Sequence, residues 1–129
     1  MHVKKILIID DDDVDTYLSK RIIFEKDFTR EIVTASSVQE AMEYLSVHKS
    51  VFPEIIFLDL NMPGQNGLDF LEAFSAFPAL AKSSTKIILL MNVVSSNDEV
   101  TFKATSHPLV KYVIEKPLTE EKLGNIPLN

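Results

Sequence analysis

The sequence predicts an α/β domain built on a doubly wound parallel sheet of five strands. Short apolar runs, rich in Ile, Val and Leu and each about the length of a strand, alternate with segments whose apolar residues have helical spacing. The alternation repeats five times. Repeated units of this kind favour parallel pairing through right-handed crossovers, with helices on both faces of the sheet.

Five runs have the length and composition of strands. They are Lys4–Ile9, Glu31–Ala35, Ile55–Leu58, Lys86–Leu90 and Val110–Ile114. In the first helical segment, Val14, Leu18 and Ile22 fall on one predicted apolar face. Capping residues and helix breakers bound the other four predicted helices. The second begins after Ser36 or Ser37 and ends before Pro53, and the third follows Gly67. The fourth begins after Asn97 or Asp98 and ends at Pro108, and the fifth begins at Thr119 and ends by Gly124.

Composition excludes several classes of protein. The 129 residues, 46% of them hydrophobic, suit one core, so we predict a single domain over residues 1–129. A net charge of −6 leaves no basic surface for direct nucleic-acid binding. The absence of cysteine excludes disulfides and thiol catalysis and is typical of the cytoplasm. Because no apolar stretch approaches the length of a membrane span, we expect no membrane segment and a cytoplasmic location.

Charged residues follow three of the predicted strands. Asp10 and Asp11 come directly after the first strand, Asp59 after the third, and Lys116 just past the fifth. In open α/β sheets the functional crevice lies beyond the carboxyl ends of the strands. If the first, third and fifth strands are neighbours, three carboxylates and one ammonium converge in one pocket.

Such a pocket has a definite chemistry. Carboxylates held close together repel one another unless a cation compensates them, and Mg²⁺ prefers carboxylate, carbonyl and phosphate oxygens. With Mg²⁺ and Lys116 neutralising an incoming phosphoryl group, the carboxylate of Asp59 can attack phosphorus and form an aspartyl phosphate.

Three motifs carry a resemblance to a known family. They are IIDDD (Ile8 to Asp12), LDLNMPGQNG (Leu58 to Gly67) and EKPL (Glu115 to Leu118), in the order and at the separations of a two-component response regulator receiver domain of the CheY-like kind. The resemblance covers nearly the whole chain. It implies a flavodoxin-like (βα)5 fold with strand order 2-1-3-4-5 and no output domain in this chain.

The resemblance also implies a function. Asp59 would accept a phosphoryl group from a sensor histidine kinase or a histidine phosphotransfer protein, and the domain would signal by altered contacts with a downstream protein that the sequence does not identify. It would thus be a phosphoacceptor rather than an enzyme with turnover. The implied roles are a Mg²⁺ pocket of Asp10, Asp11, Asp59 and the backbone carbonyl of Asn61, a phosphoryl-binding Lys116, a loop shaped by Pro63 and Gly67, and a cis Lys116–Pro117 bond.

Two positions depart from the receiver pattern. In that family the fourth strand ends in Ser or Thr, and the fifth carries an aromatic residue. Here Met91 takes the hydroxyl position, Asn92 being its alternative if the strand is one residue longer, and Val113 takes the aromatic position. Tyr112 is adjacent, but strand alternation points it to the other face. We therefore expect intact phosphorylation chemistry and an impaired relay to the fourth predicted helix.

Alternative interpretations remain for the function and for the aspartates. The domain is either a phosphorylation-dependent receiver or a degenerate one that acts as a phosphorylation-insensitive interaction module. A haloacid-dehalogenase-type phosphatase is a further alternative, with Asp10 as nucleophile and Asp12 as general acid. In the receiver interpretation, Asp12, Asp13 and Asp15 only cap the first helix and charge its surface.

Overall fold

One sheet of five parallel strands forms the centre of the computed structural model, which describes residues 3–29, 31–47, 52–92 and 98–127. The strands are β1 (Ile6–Ile9), β2 (Ile32–Ala35), β3 (Ile55–Asp59), β4 (Lys86–Met91) and β5 (Val110–Glu115). Their order is β2-β1-β3-β4-β5, and every neighbouring pair is parallel. This confirms the predicted flavodoxin-like arrangement. The last three strands each run one residue further than predicted.

Helices cover both faces of the sheet. Those in the described residues are α1 (Asp13–Glu25), α2 (Val38–Val47), α3 (Gly67–Phe74), α4 (Ala79–Lys82), α5 (Glu99–Thr105) and α6 (Glu120–Gly124). The four-residue α4 was not predicted; it follows Pro78. The carboxylate of Asp98 caps α5, whereas the alternative cap, Asn97, lies outside the described residues. Among the residues described here, no helix has both the length and the apolar character needed to cross a membrane.

The sheet divides the core into two clusters. The first core cluster lies on the side of α2, α3 and α5 and includes Leu7, Ile9, Leu45, Leu58, Phe70, Leu89, Met91 and Ala104. The second core cluster lies on the side of α1 and α6 and includes Ile6, Ile8, Ile23, Phe57, Leu90, Ile114 and Leu123. Because β1, β3 and the end of β4 are buried on both faces, their carboxyl ends are held rigidly.

The predicted apolar face of α1 was wrong for Val14 and Leu18, whereas its third residue, Ile22, packs against the second core cluster. Val14 is 66% exposed and Leu18 is 45% exposed, whereas Ser19 and Ile23 are buried. A helical surface repeats every three or four residues, so Asp15, which contacts the end of β5, shares the inner face with Ser19. The apolar pattern predicted another face because two polar residues occupy positions that point toward the sheet.

Candidate functional site

The charged residues lie together at the carboxyl edge of the sheet. Asp10 directly follows β1, Asp59 is the last residue of β3, and Lys116 directly follows β5. The side chains of Asp10 and Asp59 are each 2% exposed. Since β4 lies between β3 and β5, the strands that bear Asp59 and Lys116 are not neighbours, and the long lysine side chain spans the gap.

The ammonium of Lys116 contacts three carboxylates. Its Nζ lies 3.0 Å from Oδ2 of Asp15, 3.2 Å from Oδ2 of Asp10 and 3.3 Å from Oδ1 of Asp59. Lys116 therefore forms an ion pair with Asp59 and is shared with two further acids. The backbone N–H of Lys116 also donates to the carbonyl of Met91 at 2.7 Å, which anchors the lysine to the end of β4.

The start of α1 arranges the aspartates that follow β1. Oδ1 of Asp10 accepts the backbone N–H of Asp12 at 2.9 Å, which turns the chain out of the strand. Oδ1 of Asp12 accepts the N–H groups of Val14 and Asp15, so Asp12 is the helix cap, as predicted. This engagement with the helix backbone also argues against Asp12 as the general acid of a phosphatase.

The prediction that Asp15 is only capping and surface charge was wrong. Its carboxylate makes the shortest of the three contacts with Lys116. The family motifs gave no signal for this residue, because it lies beyond IIDDD, in the first turn of α1. Helical spacing could have placed Asp15 and Ser19 on one face, but only the docking of α1 decides that this face is the inner one.

The loop after β3 is held by hydrogen bonds and by a close backbone contact. Oδ1 of Asp59 accepts the N–H of Asn61 at 3.1 Å, and Oδ1 of Asn61 accepts the N–H of Asn92 at 3.1 Å. A Cβ at Gly67 would stand 2.9 Å from Cα of Leu60, closer than real Cβ atoms approach, so this position requires glycine. The expected cis bond between Lys116 and Pro117 is present.

The environment of Asp59 shifts its pKa upward. Burial and the negative charge of Asp10 raise the pKa of Asp59 to about 6, although Lys116 and the N–H of Asn61 act in the opposite direction. For Lys116, burial favours the neutral amine, but the carboxylates of Asp15, Asp59 and Asp10 together raise its pKa above the ordinary value. Lys116 is therefore a permanent cation beside an acid that titrates near neutrality.

The acid cluster has the donor set of a metal site. Asp10, Asp11 and Asp59 each offer a carboxylate oxygen, and these oxygens all lie within 4.8 Å of one another. Asp11 is exposed, whereas the other two are buried, so the cluster opens to solvent on the Asp11 side. Oxygen ligands in this number and partial exposure suit Mg²⁺, which retains several waters. These residues therefore fit the predicted ion.

The switch positions, which are the two departures from the receiver pattern, lie at the carboxyl end of β4 and within β5. Met91 is the buried last residue of β4 and packs in the first core cluster. Asn92 follows it and is exposed, and Val113 is 36% exposed. Tyr112 packs against the second core cluster, so it faces the other side of the sheet, as predicted. Because β4 runs one residue further than predicted, the condition under which Asn92 is the alternative is met, and the assignment of the hydroxyl position to Met91 rather than Asn92 stays a prediction.

Comparison with known proteins gives one family. The family model described as the response regulator receiver domain matches residues 6–126. The protein-glutamate methylesterase/protein-glutamine glutaminase of Methanococcus maripaludis is 31% identical over 113 residues, which cover 88% of this chain and 28% of that protein. The transcriptional regulatory protein MalR of Bacillus subtilis is 30% identical over 117 residues, 91% of this chain and 46% of that protein. The chain thus spans less than half the length of these relatives.

Solved structures agree with the fold. A two-component response regulator from Cytophaga hutchinsonii is 30% identical and superposes with a TM-score of 0.86, with 98% of this chain and 95% of that chain covered. A two-component response regulator from Legionella pneumophila superposes with a TM-score of 0.78 over 95% of this chain and 93% of that chain. At 23% identity, the second likeness supports the fold alone.

Proposed function

Because the chain belongs to the response regulator receiver domain family of two-component signalling, we propose that Asp59 accepts a phosphoryl group from a histidine kinase or a histidine phosphotransfer protein. One observation carries the proposal: a buried carboxylate at the end of β3 lies 3.3 Å from a lysine ammonium and shares an open acid cluster with Asp10 and Asp11. A nucleophile, a cation and a set of metal ligands at one strand edge are what phosphoryl transfer requires.

The proposed step is a displacement at phosphorus. A carboxylate oxygen of Asp59 forms a bond to phosphorus as the bond between phosphorus and the donor imidazole nitrogen breaks, and the electron pair of the broken bond stays on that nitrogen. Lys116 supplies positive charge to the phosphoryl oxygens. The N–H of Asn61, 3.1 Å from Oδ1, holds the carboxylate in place during the attack.

Three carboxylates would hold Mg²⁺ in this reaction: Asp10, Asp11 and Asp59, joined by the backbone carbonyl of Asn61. The ion would supply Lewis-acid charge to the phosphoryl oxygens and the acid cluster. Without such compensation, burial and then the charge of Asp10 raise the pKa of Asp59 to about 6, which keeps part of the population protonated near neutral pH, and the protonated acid is a poor nucleophile.

A phosphodonor protein must cover the rim of the site to reach Asp59. The exposed apolar side chains of Val14, Tyr17 and Leu18 stand on α1, the helix that also carries Asp15. Exposed apolar groups in this number suit contact with a protein partner. We propose that the phosphodonor protein binds this face of α1. A downstream protein would then bind the phosphorylated state differently from the unphosphorylated one.

A second candidate function is a phosphorylation-insensitive interaction module. The feature that favours it is the pair of switch positions, where Met91 is predicted to replace a hydroxyl and Val113 an aromatic residue; Met91 is buried and Val113 is 36% exposed. In this case the same fold would bind its partner whether or not Asp59 carries a phosphoryl group.

Intact mass spectrometry with acetyl phosphate and Mg²⁺ tests the primary proposal. The wild-type chain should gain one phosphoryl group, and Asp59→Asn should gain none because an amide is a poor nucleophile. Asp13→Asn, which removes an exposed charge at the start of α1, is the matched control and should be labelled like the wild type. Labelling that persists in Asp59→Asn would contradict the assignment, as would steady turnover of a generic phosphate ester.

A further inference from the structure

The ammonium of Lys116 donates hydrogen bonds to Asp10 and Asp15 and forms an ion pair with Asp59. The carboxylates of Asp10, Asp15 and Asp59 all lie within 3.3 Å of Nζ. An ammonium group donates at most three hydrogen bonds. Asp10 and Asp15 take two of these donors, so a phosphoryl group on Asp59 competes with them for Lys116.

Two of the partners are held in place. Asp10 and Asp59 are buried, and each also accepts a backbone N–H, from Asp12 and from Asn61 respectively. Moving Asp10 away from Lys116 would leave a buried charge without its cation, which is costly, and Asp59 is itself the proposed phosphoacceptor.

The third partner is easier to displace. The side chain of Asp15 is 41% exposed, so its carboxylate can exchange the lysine for water. Exposed ion pairs are weak for this reason. A cavity of about 120 Å³ lined by Asp15, Ser19, Ile22 and Lys116 lies beside the pair, which gives the two side chains room to separate. The helix itself need not move, because Asp12 caps its backbone independently.

We propose that Asp15 is a displaceable partner of Lys116, which it holds in the resting domain and releases to the phosphoryl group. Asp15 is thus a positioning residue that acts through Lys116, and it weakens phosphoryl binding in two ways. It competes for an N–H of the lysine, and it adds a negative charge to a site where the carboxylates of Asp10, Asp11 and Asp59 already outnumber one ammonium. This inference rests on the proposed phosphoacceptor function of Asp59.

Titration with beryllofluoride in the presence of Mg²⁺ tests the inference. The chain has no tryptophan, so amide chemical shifts are the suitable signal. Asp15→Asn should bind beryllofluoride about two- to fivefold more tightly than the wild type, the fold-change that corresponds to an exposed ion pair. Asp13→Asn is the matched control, since it removes an exposed charge from the same helical turn without touching Lys116. It should leave the affinity unchanged.

A second readout separates displacement from a structural role. In the wild type, beryllofluoride should shift the carboxyl ¹³C resonance of Asp15 toward that of a free carboxylate and leave that of Asp13 in place. Weaker or unchanged binding by Asp15→Asn would overturn the inference, as would an equal gain in Asp13→Asn. If Asp15→Asn fails to fold, Asp15→Ala provides the same test. Failure of the proposed function looks different, because the wild-type chain itself would then bind no beryllofluoride and accept no phosphoryl group.

Discussion

The backbone N–H of Asn92 donates a hydrogen bond of 3.1 Å to Oδ1 of Asn61, across 31 residues of sequence. This bond ties the loop after β3, which follows the proposed phosphoacceptor, to the end of β4. A change at Asp59 can therefore reach β4 through Asn61. The next link would be a side chain at the end of β4, and there the chain has Met91, whose thioether cannot donate a hydrogen bond.

Phosphorylation is expected to perturb the pocket more than the distant face of the domain. A hydroxyl at the end of β4 would add a charge-assisted hydrogen bond to the phosphoryl group, worth about 1.5–3 kcal/mol. Without it, a beryllofluoride complex should shift amide resonances around Asp11, Asn61 and Met91 but move α5 and β5 little. Met91→Thr should enlarge the shifts in α5 and β5. Large shifts from Asp98 to Val113 in the wild type would contradict this prediction.

Mg²⁺ binding should depend on Asp11 and not on the neighbouring acids of α1. Asp11 belongs to the cluster whose oxygens lie within 4.8 Å of one another, whereas Asp13 is an exposed residue in the first turn of the helix. Asp11→Ala should therefore weaken Mg²⁺ binding more than Asp13→Ala does, as measured by isothermal titration calorimetry. Equal losses in the two variants would mean that the ion lies elsewhere.

Lys116→Ala should slow phosphorylation while leaving Mg²⁺ binding largely in place. Removal of the ammonium deletes a charge-assisted contact with the phosphoryl group, which corresponds to about 10- to 100-fold in the initial rate of labelling by acetyl phosphate. It also removes an influence that lowers the pKa of Asp59, so less of the nucleophile is ionised. Lys111→Ala, at an exposed position of β5, is the control. A normal rate in Lys116→Ala would reduce the lysine to a structural role.

The free energy of unfolding should fall as pH rises through the titration of Asp59. Its pKa in the folded state, about 6, is above its ordinary value near 4, so the folded chain binds this proton more tightly than the unfolded chain does. The resulting stability is complete below about pH 4 and is lost by about pH 6.

Asp59→Asn isolates this contribution because it replaces the acid with a neutral group of similar shape. Without Mg²⁺, the variant should match the wild type near pH 4 and exceed its free energy of unfolding by about 2 kcal/mol at pH 7. Urea unfolding between these pH values gives the comparison, and Mg²⁺ should reduce the difference by compensating the charge. Parallel pH profiles for the two proteins would contradict the prediction.

The sequence by itself determined the fold class and the identity of the central residues. The apolar runs of β1 and β3 are long and unbroken enough to predict buried strands, and a buried strand that ends in Asp59 places that acid at the carboxyl edge. The motifs likewise predicted the roles of Gly67 in the loop after β3 and of the acids that follow β1. Each depends on the local chain: a strand end, a helix start or a close turn.

Only the tertiary structure decided which face of α1 is buried and which acids surround Lys116. Apolar periodicity predicted Val14, Leu18 and Ile22 as the inner face. Ile22 packs against the core, but the helix docks with Ser19 and Ile23 buried and with Asp15 in contact with Lys116. The rotation of a helix about its axis depends on what it packs against, here the second core cluster, which buries Ile23, and a cation 101 residues away that directly follows β5. The sequence pattern of α1 does not indicate which distant residues the helix will contact. Neither the contact between Asp15 and Lys116 nor the upward shift in the pKa of Asp59 could therefore be predicted from the sequence.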